Sequence, residues 1–377
     1  MIIIYLKTTN KMNNKINFHL KKSINIIITF TQLSSGLPIS PSSGLSYLSC
    51  TPMKLLPDKF VIAIACAVLL AYIFPQAGAP ESVIPINTIA SIGIGLIFFF
   101  YGLKLSPDKI SSGLKNWKLH VLIQTTTFIL FPLVVLATKP FVSESQHTLW
   151  LATFFLATLP STVSASVVMV SIAKGNMPAA IFNASISGVL GIIFTPLWMS
   201  LFIHTHGQNV SYAEIYEQLI TQIVLPLAAG LIMQKKWHNW AVKNSKQINV
   251  FDKSVIFLIV YKSFCASFTE HVFQDIKWTD IILLLICVLL LFAIMYCLIY
   301  LIAGLLKFSR EDRTAALFCG SKKSLIHGTV FSKVLFGNMA GIGVMLLPLM
   351  LFHASQILIV SAIASRIERS YAVPITT

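Results

Sequence analysis

The sequence predicts an all-α polytopic membrane protein of ten transmembrane helices. They form two inverted five-helix repeats, with broken, crossing helices 4 and 9. Three observations carry the prediction. The chain is 56% hydrophobic and only 11% charged, with a mean hydropathy of +0.79, whereas soluble domains hold about 25% charged residues. Its basic residues concentrate in alternate loops. Two of its apolar runs are interrupted at positions about half the core length apart.

Length sets the helix number. At about 20 apolar residues per span, 377 residues leave room for about ten spans. A net charge of +15 in a soluble chain would suggest nucleic acid as a partner. Here its distribution is an orientation signal, and the partner is the lipid bilayer. The six cysteines (Cys50, Cys66, Cys265, Cys287, Cys297 and Cys319) show no paired spacing. Five lie in apolar runs, which predicts buried free thiols rather than disulfides or a metal site.

Residues 1–52 differ from the rest, being rich first in Asn, Lys and Ile and then in Ser, Pro and Gly. Their apolar pieces are too short to span a membrane. They read as a disordered or spurious extension upstream of a start at Met53, with a targeting segment as the alternative. The folded unit is expected over 53–369, with 370–377 as a tail. Its spans fall at about 60–75, 86–103, 118–138, 148–173, 178–203, 215–233, 250–268, 279–306, 311–336 and 340–364. Helices 1–5 thus occupy about 60–203, and helices 6–10 about 215–364.

Loops after even-numbered spans and the tail are assigned Lys104, Lys109, Lys115, Lys118, Lys174, Lys235, Lys236, Lys243, Lys246, Lys253, Lys307, Arg310, Arg313, Arg366 and Arg369. Loops after odd-numbered spans hold Lys139, Lys277 and Lys333. Fifteen against three places both termini in the cytoplasm, and the chain is expected in the inner membrane.

The repeat is visible at the ends of the fourth and ninth spans, which read Lys174-Gly-Asn-Met177 and Phe336-Gly-Asn-Met339, an offset of 162 residues. Within the ninth lies Phe318-Cys-Gly-Ser-Lys-Lys-Ser-Leu-Ile-His-Gly328. An uncompensated lysine at the centre of a bilayer helix costs roughly 3 kcal/mol on insertion scales, and here there are two, Lys322 and Lys323. The same offset maps them onto Pro160 and Ser161 in Leu159-Pro-Ser-Thr-Val-Ser-Ala-Ser166, where a proline and four hydroxyl residues interrupt the fourth span. Matching breaks in two halves of opposite orientation are the sequence pointer to a transporter's binding site. The alternative for the lysines is a short cytoplasmic turn, with one or both snorkelling to the membrane face.

These residues, together with Lys174-Gly-Asn-Met-Pro-Ala-Ala-Ile-Phe-Asn-Ala-Ser185, Leu190-Gly-Ile-Ile-Phe-Thr-Pro196 and Leu347-Pro-Leu-Met350, resemble the bile acid:sodium symporter superfamily. The match is to its bacterial branch of sodium-dependent transporters, related to the seventh member of the human bile-acid carrier family. The resemblance covers the core from about Met53 to Arg369. It implies ten helices in two inverted repeats, interleaved panel and core subdomains, and fourth and ninth helices that unwind and cross. It also implies a secondary transporter working by alternating access, not an enzyme.

The sequence departs from the family at the sodium ligands. Aligned on Gly320, the crossover Glu of the bile acid carriers is Phe318 here and the Gln is Lys322. Their fourth-helix Ser-Asn pair falls near Ser164–Ser166 without its Asn, and later hydroxyl ligands align near Ala180 and Ala184. Sodium, the one cofactor the family suggests, is therefore not supported by the aligned residues.

The candidate substrate or ion site comprises Pro160, Ser161, Thr162, Ser164, Ser166, Asn183, Ser185, Ser321, Lys322, Lys323 and Ser324. Hydroxyls, the Asn183 and Ser187 side chains and unwound carbonyls would suit a hard cation. Lysines without a carboxylate would repel one. A lysine ammonium standing in sodium's place would favour a small organic anion near half-helix N-termini, and a lysine that exchanges its proton would permit proton coupling. Lys262 in the seventh span and His327, one turn after Lys323, are secondary candidates, each weighed against snorkelling or packing. Gln124, Thr125–Thr127 and Gln222 read as interhelical hydrogen-bonding residues, and Gly93, Gly95 and Gly102 as close packing. No nucleotide loop, His-Glu-x-x-His spacing or nucleophile constellation stands out. The competing functions are a non-transporting regulator of ion or cell-envelope homeostasis, and a cation/proton antiporter or channel. The last would require a carboxylate at the crossover.

Overall fold

The structure is a computed structural model and describes residues 59–78, 85–105, 116–162, 164–202, 217–274, 276–336 and 341–372, all within the compact unit Leu55–Thr377. The 1–52 extension and the second Gly-Asn-Met, at 337–339, lie outside the described residues. The described residues form helices joined by short turns and breaks, with no strand among them.

The helices of the described residues are α1 (Lys59–Ile73), α2 (Ile86–Lys104), α3 (Trp117–Thr125, continued by a π turn over Thr126–Leu130 and by Phe131–Leu136), α4 (His147–Thr158), α5 (Ser164–Ile172), α6 (Met177–Met199), α7 (Leu225–Lys243, entered through a π turn at Ile220–Val224), α8 (Ser245–Thr269), α9 (Trp278–Leu305), α10 (Arg310–Gly320), α11 (Leu325–Phe336) and α12 (Ile342–Ala372). Among the described residues six helices are long and apolar enough to cross a membrane: Ile86–Lys104, Trp117–Phe141, Met177–Met199, Glu217–Lys243, Trp278–Leu305 and Ile342–Glu368. Phe60–Ile73 and His147–Thr158 are apolar but shorter. Large aliphatic side chains cover their outer faces, among them Ile92, Ile193, Ile232 and Leu301. That surface suits lipid rather than water.

Each expected span coincides with helix, and the fourth and ninth are each split in two. The boundaries differ most between the sixth and seventh. There α7 runs on to Lys243 and α8 starts at Ser245, with only Asn244 between. Lys235, Lys236, Lys243, Lys246 and Lys253, expected in a loop, therefore sit on helix. A helix satisfies its backbone beyond the apolar window as well as within it, so a loss of hydropathy does not mark its end. Lys333, expected in a loop, is likewise inside α11. The cysteines also need correction: the five described are free, but Cys66, Cys287 and Cys297 are exposed and only Cys265 and Cys319 are buried. In a membrane protein an apolar run has a lipid-facing side as well as a core side.

Glycine sets the closest helix pair. A Cβ on Gly102 of α2 would lie 2.6 Å from the Leu227 carbonyl oxygen of α7, and one on Gly230 would fall on the Phe99 carbonyl oxygen. The two backbones touch because neither residue has a side chain. Gly93 of α2 packs in the same way against Val255 of α8.

Asn176 of the first Gly-Asn-Met starts α6. Its side chain accepts the Ala179 amide at 3.1 Å, and its own amide nitrogen donates to Asp312 Oδ1 at 2.7 Å. Asn116, before α3, donates to Asp312 Oδ2 at 2.6 Å. One carboxylate at the start of α10 thus ties together the beginnings of three helices.

Candidate functional site

The two interruptions meet. Helix α4 ends at Thr158 and α5 begins at Ser164; α10 ends at Gly320 and α11 begins at Leu325. The Ser324 amide donates to the Pro160 carbonyl at 2.9 Å, and Ser161 Oγ donates to the Cys319 carbonyl at 2.5 Å. The Ser161 amide donates to Ser187 Oγ of α6 at 2.9 Å. A broken helix in an apolar setting must find partners for the backbone groups it releases, and here each break supplies partners to the other.

Lys323 fills the largest need. Its ammonium, a donor of three hydrogen bonds, reaches the carbonyls of Thr127 at 2.7 Å, Ala157 at 2.6 Å and Leu159 at 2.8 Å. Two of these are the orphaned carbonyls at the C-terminus of α4, where a positive charge is favoured. The third is released by sequence. In the π turn of α3 the Phe131 amide pairs with Thr126, so the Thr127 carbonyl would pair with residue 132, which is proline and has no N–H. The Phe131 ring lies 4.2 Å from the ammonium, measured to its centroid. Lys323 is 0% exposed, which removes the snorkelling alternative for it.

Lys322 is also buried, at 1% exposure, and does not snorkel. Its ammonium makes a single described hydrogen bond, 3.0 Å to the Ala165 carbonyl in the first turn of α5, leaving two donors over. The neighbouring Ser166 hydroxyl is fully buried and has no partner among the described residues. The Lys104–Asp252 ion pair, at 3.9 Å, lies elsewhere, and no carboxylate pairs with either lysine among the described residues.

The structure groups the remaining candidates unevenly. Pro160, Ser161 and Ser324 belong to the junction, and Thr162 is buried beside them. Ser164 opens α5. Ser321 Oγ turns back to the Leu317 carbonyl at 2.6 Å and ends α10. Asn183 instead faces α3: it donates to His120 Nδ1 at 2.7 Å and accepts from Gln124 at 3.1 Å. The Ser185 carbonyl accepts from the Tyr101 hydroxyl. His327 is held by Ser324 Oγ at 2.9 Å and packs on Phe98, Tyr101 and Phe331. Lys262 reaches Asn87 in α2, away from the lysine pair's partners. Gln124 makes the interhelical bond expected of it, whereas Thr126 and Thr127 bond within their own helix.

Gln356 of α12 was not singled out in the sequence. Its Oε1 accepts the Lys323 amide at 2.9 Å and its Nε2 donates to the Lys323 carbonyl at 2.8 Å. The signal was available: a lone buried amide in the apolar last span, one turn from His353. The second missed residue is Pro132, legible as a proline following a run of threonines.

An all-helical protein crossing the membrane several times, with two helix breaks pinned together inside it, belongs to the class of multi-pass membrane transporters. The profile of the SBF-like CPA transporter family matches residues 58–369, and the chain belongs to that family. It is 36% identical over 317 residues to an uncharacterised Pseudomonas aeruginosa protein, covering 84% of this chain and 94% of that one. It is 32% identical over 315 residues to YfeH of Escherichia coli, provisionally named a symporter, covering 83% and 93%. To the sodium/bile acid cotransporter 7 of Rattus norvegicus it is 29% identical over 315 residues, covering 82% and 92%. The resemblance to the bile acid:sodium symporter superfamily therefore stands, and these are names of transporters, not of enzymes.

Proposed function

We propose that this chain is a secondary active transporter that moves a small organic anion across the inner membrane by alternating access. Its coupling cation position is filled by the chain's own Lys323 ammonium. The observation that carries this reading is the cage of three carbonyl oxygens around Lys323 Nζ, an all-oxygen environment of the kind a hard cation takes. A site already holding a fixed positive charge has no place for sodium, and coupling falls to protons or to exchange. Lys322, with two donors unused and the Ser166 hydroxyl unpaired among the described residues, is the group that meets the substrate's negative charge.

The reading includes ten spans in two inverted repeats, with both termini cytoplasmic. Its support is the register of the breaks: the non-helical stretches 159–162 and 321–324 are displaced by the same 162 residues as the two Gly-Asn-Met triplets.

The test is the thermal stability of the purified protein across a panel of small carboxylates and sulfonates, beside Lys322→Gln. A ligand stabilises the state it binds. An anion that raises the melting temperature of the wild type, and not of folded Lys322→Gln, supports the reading. A wild type indifferent to every anion in the panel contradicts it.

A further inference from the structure

A second basic site lies away from the crossing. Lys262, midway along α8, donates to the side-chain oxygen of Asn87. Lys333 of α11 donates to the backbone oxygen of the same Asn87 at 3.1 Å and to Ser91 Oγ at 2.6 Å. Two ammonium groups from different helices thus converge on one uncharged residue. Both are only partly buried. Neither has a carboxylate partner among the described residues; the Lys104–Asp252 ion pair is elsewhere. Two like charges held together repel, a cost set against their hydrogen bonds that a negative charge joining the pair would offset.

Asn87 also stands in the first turn of α2. That helix starts after Pro85 with no side-chain cap and no acidic residue in its first turn. Its positive end therefore adds to the two ammoniums. Among the described residues Lys262 keeps two donors unused and Lys333 keeps one, in a geometry that can surround a compact acceptor.

We propose that Lys262, Lys333, Asn87 and the first turn of α2 form a second anion site, which takes a compact oxyanion such as a carboxylate, sulfate or phosphate group. Lys333 follows the start of α11 by eight residues, or about 12 Å along the helix, so the site is separate from the lysines of the crossing. On the orientation proposed above it faces the outer side. It does not depend on the role given to Lys323.

The experiment uses the full chain in phosphatidylcholine nanodiscs, with potassium sulfate as probe against potassium chloride at equal ionic strength. The variants are Lys262→Gln, Lys333→Gln and Lys322→Gln, and a parallel arm uses phosphatidylglycerol nanodiscs without sulfate. Sulfate should raise the wild-type melting temperature saturably, by about 3 °C at tenfold excess over half-saturation. Lys262→Gln and Lys333→Gln should abolish the rise, while Lys322→Gln keeps it. Without anion, either site variant should melt at or above the wild type, because repulsion is relieved. A purely structural hydrogen-bonding role predicts the reverse. A rise seen only with phosphatidylglycerol identifies the oxyanion as a lipid phosphate at the same site. The proposal is wrong if neither arm gives an effect dependent on Lys262 and Lys333, or if Lys322→Gln alone removes it.

Discussion

The side-chain amide of Gln356 holds the backbone of Lys323 from both sides, accepting its N–H at 2.9 Å and donating to its carbonyl at 2.8 Å. The residue that carries the buried charge is thereby fixed to α12 independently of where its ammonium goes. Gln356→Leu leaves both backbone groups unpaired, at about 1–3 kcal/mol each. The expected result is a protein about 2–4 kcal/mol less stable, with faster amide hydrogen exchange at residues 323–328. Unchanged exchange there would show that the break is held by other contacts.

Lys323→Met keeps the bulk of the side chain and removes its three hydrogen bonds. Three buried carbonyls then lose their donor, so the expected loss is about 3–6 kcal/mol, read by thermal or chemical denaturation in detergent. Arginine should not rescue, because its planar five-donor fork does not match a three-carbonyl cage built for an ammonium. A Lys323→Met protein as stable as the wild type would show that the cage carries no structural charge.

Lys322 and Ser166 should behave in the opposite manner. Lys322→Gln gives up one hydrogen bond, at about 1–2 kcal/mol, and should leave the protein folded but no longer stabilised by the organic anion assigned to the crossing. Ser166→Ala removes a buried hydroxyl with no partner, so it should leave stability unchanged or raise it by up to about 1 kcal/mol. It should also weaken anion-dependent stabilisation. A gain in stability paired with a loss of binding distinguishes a ligand group from a packing group.

The α2–α7 contact offers a test of the fold alone. Gly230→Val would drive a side chain into the Phe99 carbonyl, forcing the helices apart at a cost of about 1–3 kcal/mol or more. The same change at Gly95, whose Cβ would meet only Pro226 at 3.6 Å, should be tolerated. Equal melting temperatures for the two variants would contradict the close approach.

Helix positions and both breaks were legible in the sequence because apolar runs, a mid-run Pro160 and a mid-run lysine pair have few other uses in a membrane protein. What the lysines bind was not, since it depends on carbonyls 157 to 196 residues away and every residue has a carbonyl. Only the proline at 132 marks one of them as free. Asn183 read as a site residue from its neighbourhood in the chain, but helical phase turns it toward His120 and Gln124. The Lys262–Lys333 convergence was hidden because its uncharged meeting point, Asn87, lies in a third helix.

Sodium decides the central claim most directly. The purified wild type should melt at the same temperature in sodium, potassium and choline chloride at equal ionic strength, because the Lys323 ammonium already occupies the cation position between the two breaks. A saturable stabilisation by sodium over potassium would contradict it, and would return the chain to ordinary sodium symport.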